Sequence, residues 1–227
     1  MLRDKVIVVT GASGALGKVV VDTALARGAR VAAVDFAAAQ TAPTPQRLEL
    51  GGVDLTDPGQ ANKAIEAAAA HFGKLDALIN IAGGFAFETV ADGDPKTWQR
   101  MHALNVTTAL NASRAAIPRL LASSAARIVN IGAFGALQAG SGMGAYAASK
   151  SGVHRLTEAL AAEHKGKITV NAVLPSIIDT AANRESMPKA DFSKWVAPQE
   201  LAEVILFLVG DAASAVTGAL LPVTGRV

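Results

Sequence analysis

Seven short apolar runs recur along the chain, and stretches of helical spacing separate them. They are "KVIVVT" (5–10), "ARVAAVD" (29–35), a weaker "RLEL" (47–50), "KLDALIN" (74–80), "ARIVNIG" (126–132), "KITVNAVLP" (167–175) and "ALLPV" (219–223). Runs this continuous are buried on both faces, which requires a parallel sheet covered on both sides. Helical patterns at about 15–27, 58–71, 95–121, 144–164 and 198–209 provide the cover. Pro58 and Pro198 suit the first turns of two of these helices. The alternation predicts an α/β chain: a single doubly wound, Rossmann-like domain over 1–227, with a seven-stranded parallel sheet and helices on both faces. No linker, charge block or internal repeat divides it.

Composition then removes several classes of function. The chain has no cysteine, so disulfides, thiolate nucleophiles and cysteine zinc sites are out. Its four histidines are scattered, and no metal site is expected. A formal charge of +2 with dispersed basic residues argues against nucleic acid. No apolar stretch is long enough to cross a bilayer, and the run in "MLRDKVIVVTG" is too short for a signal peptide. A cytoplasmic protein acting on a small molecule is the expectation.

In such folds ligands bind beyond the carboxyl ends of the strands. Gly11, Asp35, Asn80, Ala133 and Pro175 fall there. "TGASGALG" follows the first strand and opens a helix. Gly11, Gly14 and Gly17, with Ser13, Ala15 and Leu16 between them, allow a tight turn and a close backbone approach. The helix N-terminus offers unpaired N–H groups to a pyrophosphate. The stretch reads as a dinucleotide site, against a plain glycine-rich turn. Asp35 ends the second strand, with Phe36 next to it, where a carboxylate would accept from a ribose and repel a 2′-phosphate. No Arg or Lys follows before Arg47, and none lies between Gly11 and Gly17, which favours NAD(H) over NADP(H). Asp35 could equally cap a turn.

Tyr146 and Lys150 stand four residues apart, on one face of a helix. A cation beside a phenol lowers its pKa and makes it usable as a general acid or base. An amphipathic helix with a half-buried Tyr and a surface Lys is the plainer alternative.

Beyond these pieces, "DLTD" (54–57), "NIAG" (80–83), Asn105 in "ALNVT", "YAASK" and "VNAVLPS" make the chain resemble the short-chain dehydrogenase/reductase family along its whole length. The resemblance implies that Tyr146 is the catalytic acid and that Lys150 binds the nicotinamide ribose and lowers the tyrosine pKa. Asn105 would hold a water in the proton relay. Asp54 and Leu55 would flank the adenine; Asn80, Ala82 and Gly83 would line the cofactor; Pro175, Ile177 and Thr180 would sit by the nicotinamide. Pairing through the helices at 95–121 and 144–164 into a homodimer or homotetramer is also implied.

Two positions depart from the family pattern. The middle glycine of the loop is Ala15, and the serine expected thirteen residues before the tyrosine is Ala133. The chain is also similar to the dihydropteridine reductase branch of the family, in "GAFGALQAGSGMGAYAASKSGVHRL" (132–156) and above all in "AVLPSIIDTAANRESMPKADFSKW" (172–195). That branch also carries an alanine in place of the serine and reduces a quinonoid dihydropterin with NADH. Its incoming charge spreads over ring nitrogens, so Ala133 would mark a class of substrate. A carbonyl reductase or alcohol dehydrogenase, such as a 3-oxoacyl-thioester reductase, would want a substitute donor, for which Gln138 and Ser141 are available. A non-catalytic dinucleotide sensor is the third reading. The segment 176–197 is expected to be a substrate lid, in which Met187, Phe192 and Trp195 either cover a flat ring or anchor the loop on the body.

Overall fold

Each apolar run forms a strand, and all pairings are parallel, in a computed structural model that describes residues 2–227. The strands are β1 (Val6–Thr10), β2 (Arg30–Val34), β3 (Arg47–Leu50), β4 (Ala77–Asn80), β5 (Ala126–Ile131), β6 (Ile168–Pro175) and β7 (Leu220–Val223). Their order in the sheet is β3-β2-β1-β4-β5-β6-β7. Helices α1 (Ala15–Ala26), α2 (Pro58–Phe72), α3 (Pro95–His102), α4 (Thr108–Leu120), α5 (Gly144–Glu163), α6 (Ala181–Ser186) and α7 (Pro198–Val209) connect them.

The period of two along each strand divides the core. Ile7, Val9, Val31, Ile79, Val129 and Val173 face α1 and α7, packing with Val20, Ala24, Leu201 and Ile205. Val6, Val8, Leu78, Ile128 and Val170 face the other way, against Ile65 and Ala68 of α2, Ala112 and Ala116 of α4 and Leu160 of α5. Alanines on the helices allow them to lie close to the sheet. Asp57 caps α2 through the N–H groups of Gly59 and Gln60. No helix among the described residues is long and apolar enough to cross a membrane.

Two local expectations are corrected. The strand expected at 74–80 begins only at Ala77, because the Asp76 carboxylate accepts from the Val6 N–H at 2.9 Å and so pins the strand's entry with a side chain. The helix expected at 95–121 is interrupted: residues Ala103–Thr107 form a π-helical turn between α3 and α4. The wider turn carries Asn105, whose amide bonds away from the helix, to Gly84 and Ser149.

The strand order places β1 between β2 and β4, so the chain winds outward in opposite directions from that point and leaves a crevice above it. Thr10, Val34, Asn80, Ile131 and Pro175 end their strands on this side. Leu78 is fully buried in the layer beneath. Leu78→Ala should destabilise the fold by about 2–5 kcal/mol, read as a lower midpoint in denaturant with an unchanged slope.

Candidate active site

The crevice begins at the glycine turn. Gly11 has φ +64, and a Cβ there would stand 2.7 Å from the Ala82 nitrogen. Gly17 likewise abuts the Gly11 carbonyl. Thr10 Oγ1 accepts from the N–H groups of Ile81 and Ala82 at 3.1 and 3.2 Å, so the turns after β1 and β4 are tied together. α1 starts behind Gly14 without a side-chain cap, leaving its first N–H groups unspent. Ser13 and Ala15 face outward and Leu16 is buried. The turn therefore presents backbone, with no side chain in the way, and fits a pyrophosphate.

Asp35 accepts from the Ser13 N–H at 2.8 Å and the Ala37 N–H at 2.9 Å. It thus does the turn-holding job and still lines a pocket beside the loop. Phe36 projects into solvent. The same pocket contains Lys18 and Arg47. No cation follows Asp35 in sequence before Arg47, but β3 pairs alongside β2, with Arg47 opposite Val31, and brings that residue to the pocket. Farther along, Leu55 is buried and its carbonyl accepts from Asn111 Nδ2 at 3.0 Å, while Asp54 Oδ1 accepts from the Thr56 N–H at 2.8 Å. Asn80 Nδ2 donates to Ser113 Oγ of α4 and Asn130 Oδ1 of β5, which makes Asn80 a buttress between sheet and helix.

The centre of the site lies where α5 crosses the end of β5. Lys150 Nζ is buried and donates to the Ile131 carbonyl at 2.8 Å. Asn105 Oδ1 accepts from the Gly84 N–H at 3.0 Å; its Nδ2 donates to the Gly84 carbonyl at 3.1 Å and to Ser149 Oγ at 2.9 Å. Gly83 must be glycine, since a Cβ there would run into Asn105 Oδ1. Burial pushes the Tyr146 phenol up to about 12 and the Lys150 amine down to about 8. Burial raises the tyrosine, opposite to the lowering expected from its neighbour. Both groups are deep, and the ammonium is turned to a backbone carbonyl.

Ala133 is buried with Ala136 and Ala147, and Tyr146 packs against this cluster. Its N–H donates to Nε2 of His154 at 3.3 Å. Burial, then the positive charges of Arg155 and Lys150, hold His154 down to about 4, so the ring stays neutral and can accept. The end of β5 thus presents a methyl to the tyrosine, and its N–H is already taken. Gln138 and Ser141 are exposed and make no hydrogen bond among the described residues. Phe85, which follows the glycines after β4, packs edge-on against Tyr146 with ring centroids 4.9 Å apart and is 59% exposed. Phe134, next to Ala133, is also exposed.

The segment 176–197 is stitched at its base. Val196 N–H donates to the Ile177 carbonyl at 3.0 Å and Asp179 N–H to the Val196 carbonyl at 2.8 Å. Arg226 N–H donates to the Lys194 carbonyl at 3.0 Å, and Ser176 Oγ to the Thr224 carbonyl at 2.8 Å. Pro175 ends β6 and is buried; Thr180 caps α6. Met187 is half-buried. Trp195 is buried against Phe192 and anchors the segment, instead of lying open over the crevice.

Sequence reasoning did not find Phe85, Ser149, Gly84 or the bond from Ala133 to His154. Ser149 lies inside "YAASK", three residues after the tyrosine whose carbonyl it bonds, and that spacing was an available signal. Phe85 carried none beyond its place after a glycine turn. Among the described residues no three His, Cys, Asp or Glu side chains cluster to hold a metal ion.

Residues 5–191 match the short chain dehydrogenase family. The chain is 32% identical to 2-(S)-hydroxypropyl-CoM dehydrogenase 3 of Xanthobacter autotrophicus, over 99% of this chain and 96% of that protein. Its fold superposes on ligand-free aldohexose dehydrogenase of Thermoplasma acidophilum with a TM-score of 0.89 at 28% identity, covering 99% and 94% of the two chains. It superposes on 3-ketoacyl-(acyl-carrier-protein) reductase of Brucella melitensis, complexed with NADH, with a TM-score of 0.86 at 28% identity, covering 100% and 99%.

Tyr146 is the one tyrosine in the chain, so tyrosinate absorbance reports on it alone. In the ligand-free protein no ionisation should appear around the ordinary phenol value of 10.0, and the rise should come only toward about 12, with far-ultraviolet dichroism confirming the fold. A midpoint at or below the ordinary value would mean that the Lys150 charge outweighs burial.

Proposed function

The chain belongs to the short chain dehydrogenase family, and from that premise we propose that it is an NADH-dependent reductase of a planar, electron-poor ring of the quinonoid dihydropterin kind. The observation that carries this reading is the end of β5. Ala133 has no hydroxyl, and its N–H is engaged by His154, so Tyr146 faces the substrate as the one proton donor there. A ketone that takes up hydride becomes an alkoxide and needs several donors at one oxygen. A quinonoid ring spreads the charge, and one acid suffices. The exposed ring of Phe85 against Tyr146 supplies an apolar wall suited to a flat substrate.

When bound, the nicotinamide cofactor supplies the hydride. The glycine turn would hold its pyrophosphate, Asp35 its adenosine ribose, and Lys150 its second ribose. Burial keeps Tyr146 protonated at neutral pH, the state required of an acid in the reductive direction. Asn105 fixes the turn at Gly84 and, through Ser149, the first turns of α5 that carry the tyrosine. Segment 176–197 would close over the substrate and exclude water.

A carbonyl reductase is the second reading, favoured by the likeness to the 3-ketoacyl-(acyl-carrier-protein) reductase. We also infer that subunits pair through α3, α4 and α5. Support comes from the half-exposed Trp98, which shares an open groove with Gln99, His102, Ala145 and Ala148.

Tyr146→Phe should lower turnover by about 10²–10⁴-fold and leave NADH binding intact. Quinonoid dihydropterin, a simple ketone and an acetoacetyl thioester, offered side by side with NADH, separate the two readings. Turnover of the pterin alone supports the first, and turnover of the carbonyl compounds alone moves the assignment to the second. Ala133→Ser should raise ketone reduction only if the remainder of the site accepts ketones.

A further inference from the structure

Lys18 of α1, Asp35 at the end of β2, and Arg47 and Glu49 of β3 line one pocket beside the glycine turn. Two cations there would suit a phosphate ester on the adenosine ribose. Arg47, however, is held. Its Nη2 donates to Glu49 Oε1 at 2.7 Å, and its Nη1 lies 3.7 Å from Asp22 Oδ1. Its Nε is buried with no hydrogen-bond partner, so the guanidinium has a donor to spare. Glu49 is held in turn: Oε2 accepts from the N–H groups of Gln40 and Thr41 at 2.7 and 2.9 Å. One carboxylate therefore neutralises the arginine and folds the loop after β2 against β3. Burial works against its charge, but the bonds from Gln40, Thr41 and Arg47 outweigh burial and hold the carboxyl at about 2, so it is charged at every working pH.

We propose that Glu49 determines cofactor specificity: by engaging Arg47 it denies that guanidinium to a 2′-phosphate and adds a second carboxylate, beside Asp35, to a pocket that then accepts the free ribose. The proposal rests on the reading of NADH as the cofactor. With Glu49 charged, the four side chains sum to zero. Without it, Arg47 turns from a structural partner into a phosphate ligand, next to Lys18, whose side chain forms no ion pair among the described residues. Bidentate, charge-assisted bonding of phosphate is what a freed guanidinium does well.

The test is equilibrium binding of NADH and NADPH to the purified chain, followed by tryptophan fluorescence or calorimetry, so that no substrate is needed. Glu49→Gln retains an oxygen for the Gln40 and Thr41 N–H groups and removes the charge. It should tighten NADPH binding relative to NADH by roughly tenfold, the scale of one charge-assisted hydrogen bond. Arg47→Met added to Glu49→Gln should erase the gain. An equal weakening of both cofactors in Glu49→Gln would reduce Glu49 to a loop brace and overturn the proposal. A gain that survives Arg47→Met would overturn it too, by assigning phosphate binding to Lys18. Preference of the unaltered chain for NADPH would refute the cofactor reading on its own, whereas the shift in ratio on Glu49→Gln judges Glu49 separately.

Discussion

The amide of Asn105 makes three hydrogen bonds, and the site is organised around them. Two go to the N–H and carbonyl of Gly84, in the turn after β4, and one to Ser149, on the first turns of α5. The turn, the π-helical segment and the helix that bears Tyr146 and Lys150 are thereby fixed to one another. The constraint propagates. Gly83 can have no side chain, because Asn105 occupies that space. The path from α3 to α4 cannot remain regular, because the wider turn presents Asn105. Lys150 then reaches beneath to the Ile131 carbonyl and ties α5 to β5. An amide suits this place because it donates and accepts at once, without a charge that burial would penalise.

Burial, more than pairing, sets the protonation of the central groups. It raises the phenol, lowers the ammonium and lowers the imidazole, in each case toward the neutral form. A neutral His154 can accept from Ala133, and a neutral Tyr146 can give up a proton. The same dry environment explains why a missing hydroxyl matters. The lining at that point is apolar, three alanines packed with the phenol.

The sheet was legible because strands apolar on both faces leave few alternatives, and the glycine turn and the Tyr–Lys pair because spacing encodes them. The interruption at Ala103–Thr107 was not, since one extra residue in a turn barely disturbs helical spacing. The direction of the tyrosine shift was misread because a sequence shows that Lys150 is near but not how deep both groups lie. The arrival of Arg47 in the pocket beside Asp35 depends on the pairing of β3 with β2, which no local pattern reveals. Trp195 read equally well as a cover or an anchor, and its burial favours the anchor.

The stitching of segment 176–197 has a mechanical consequence. Its two feet are already joined, by the bonds between Ile177, Asp179 and Val196, and the chain's final residues clamp them from outside. An arch with closed feet cannot drift apart at its base. The loop-closure entropy is already spent within the folded chain, so settling onto a ligand need only restrict the crown of the arch. Residues Val223, Thr224 and Arg226, remote in sequence from Tyr146, therefore help to hold the base of this segment in place.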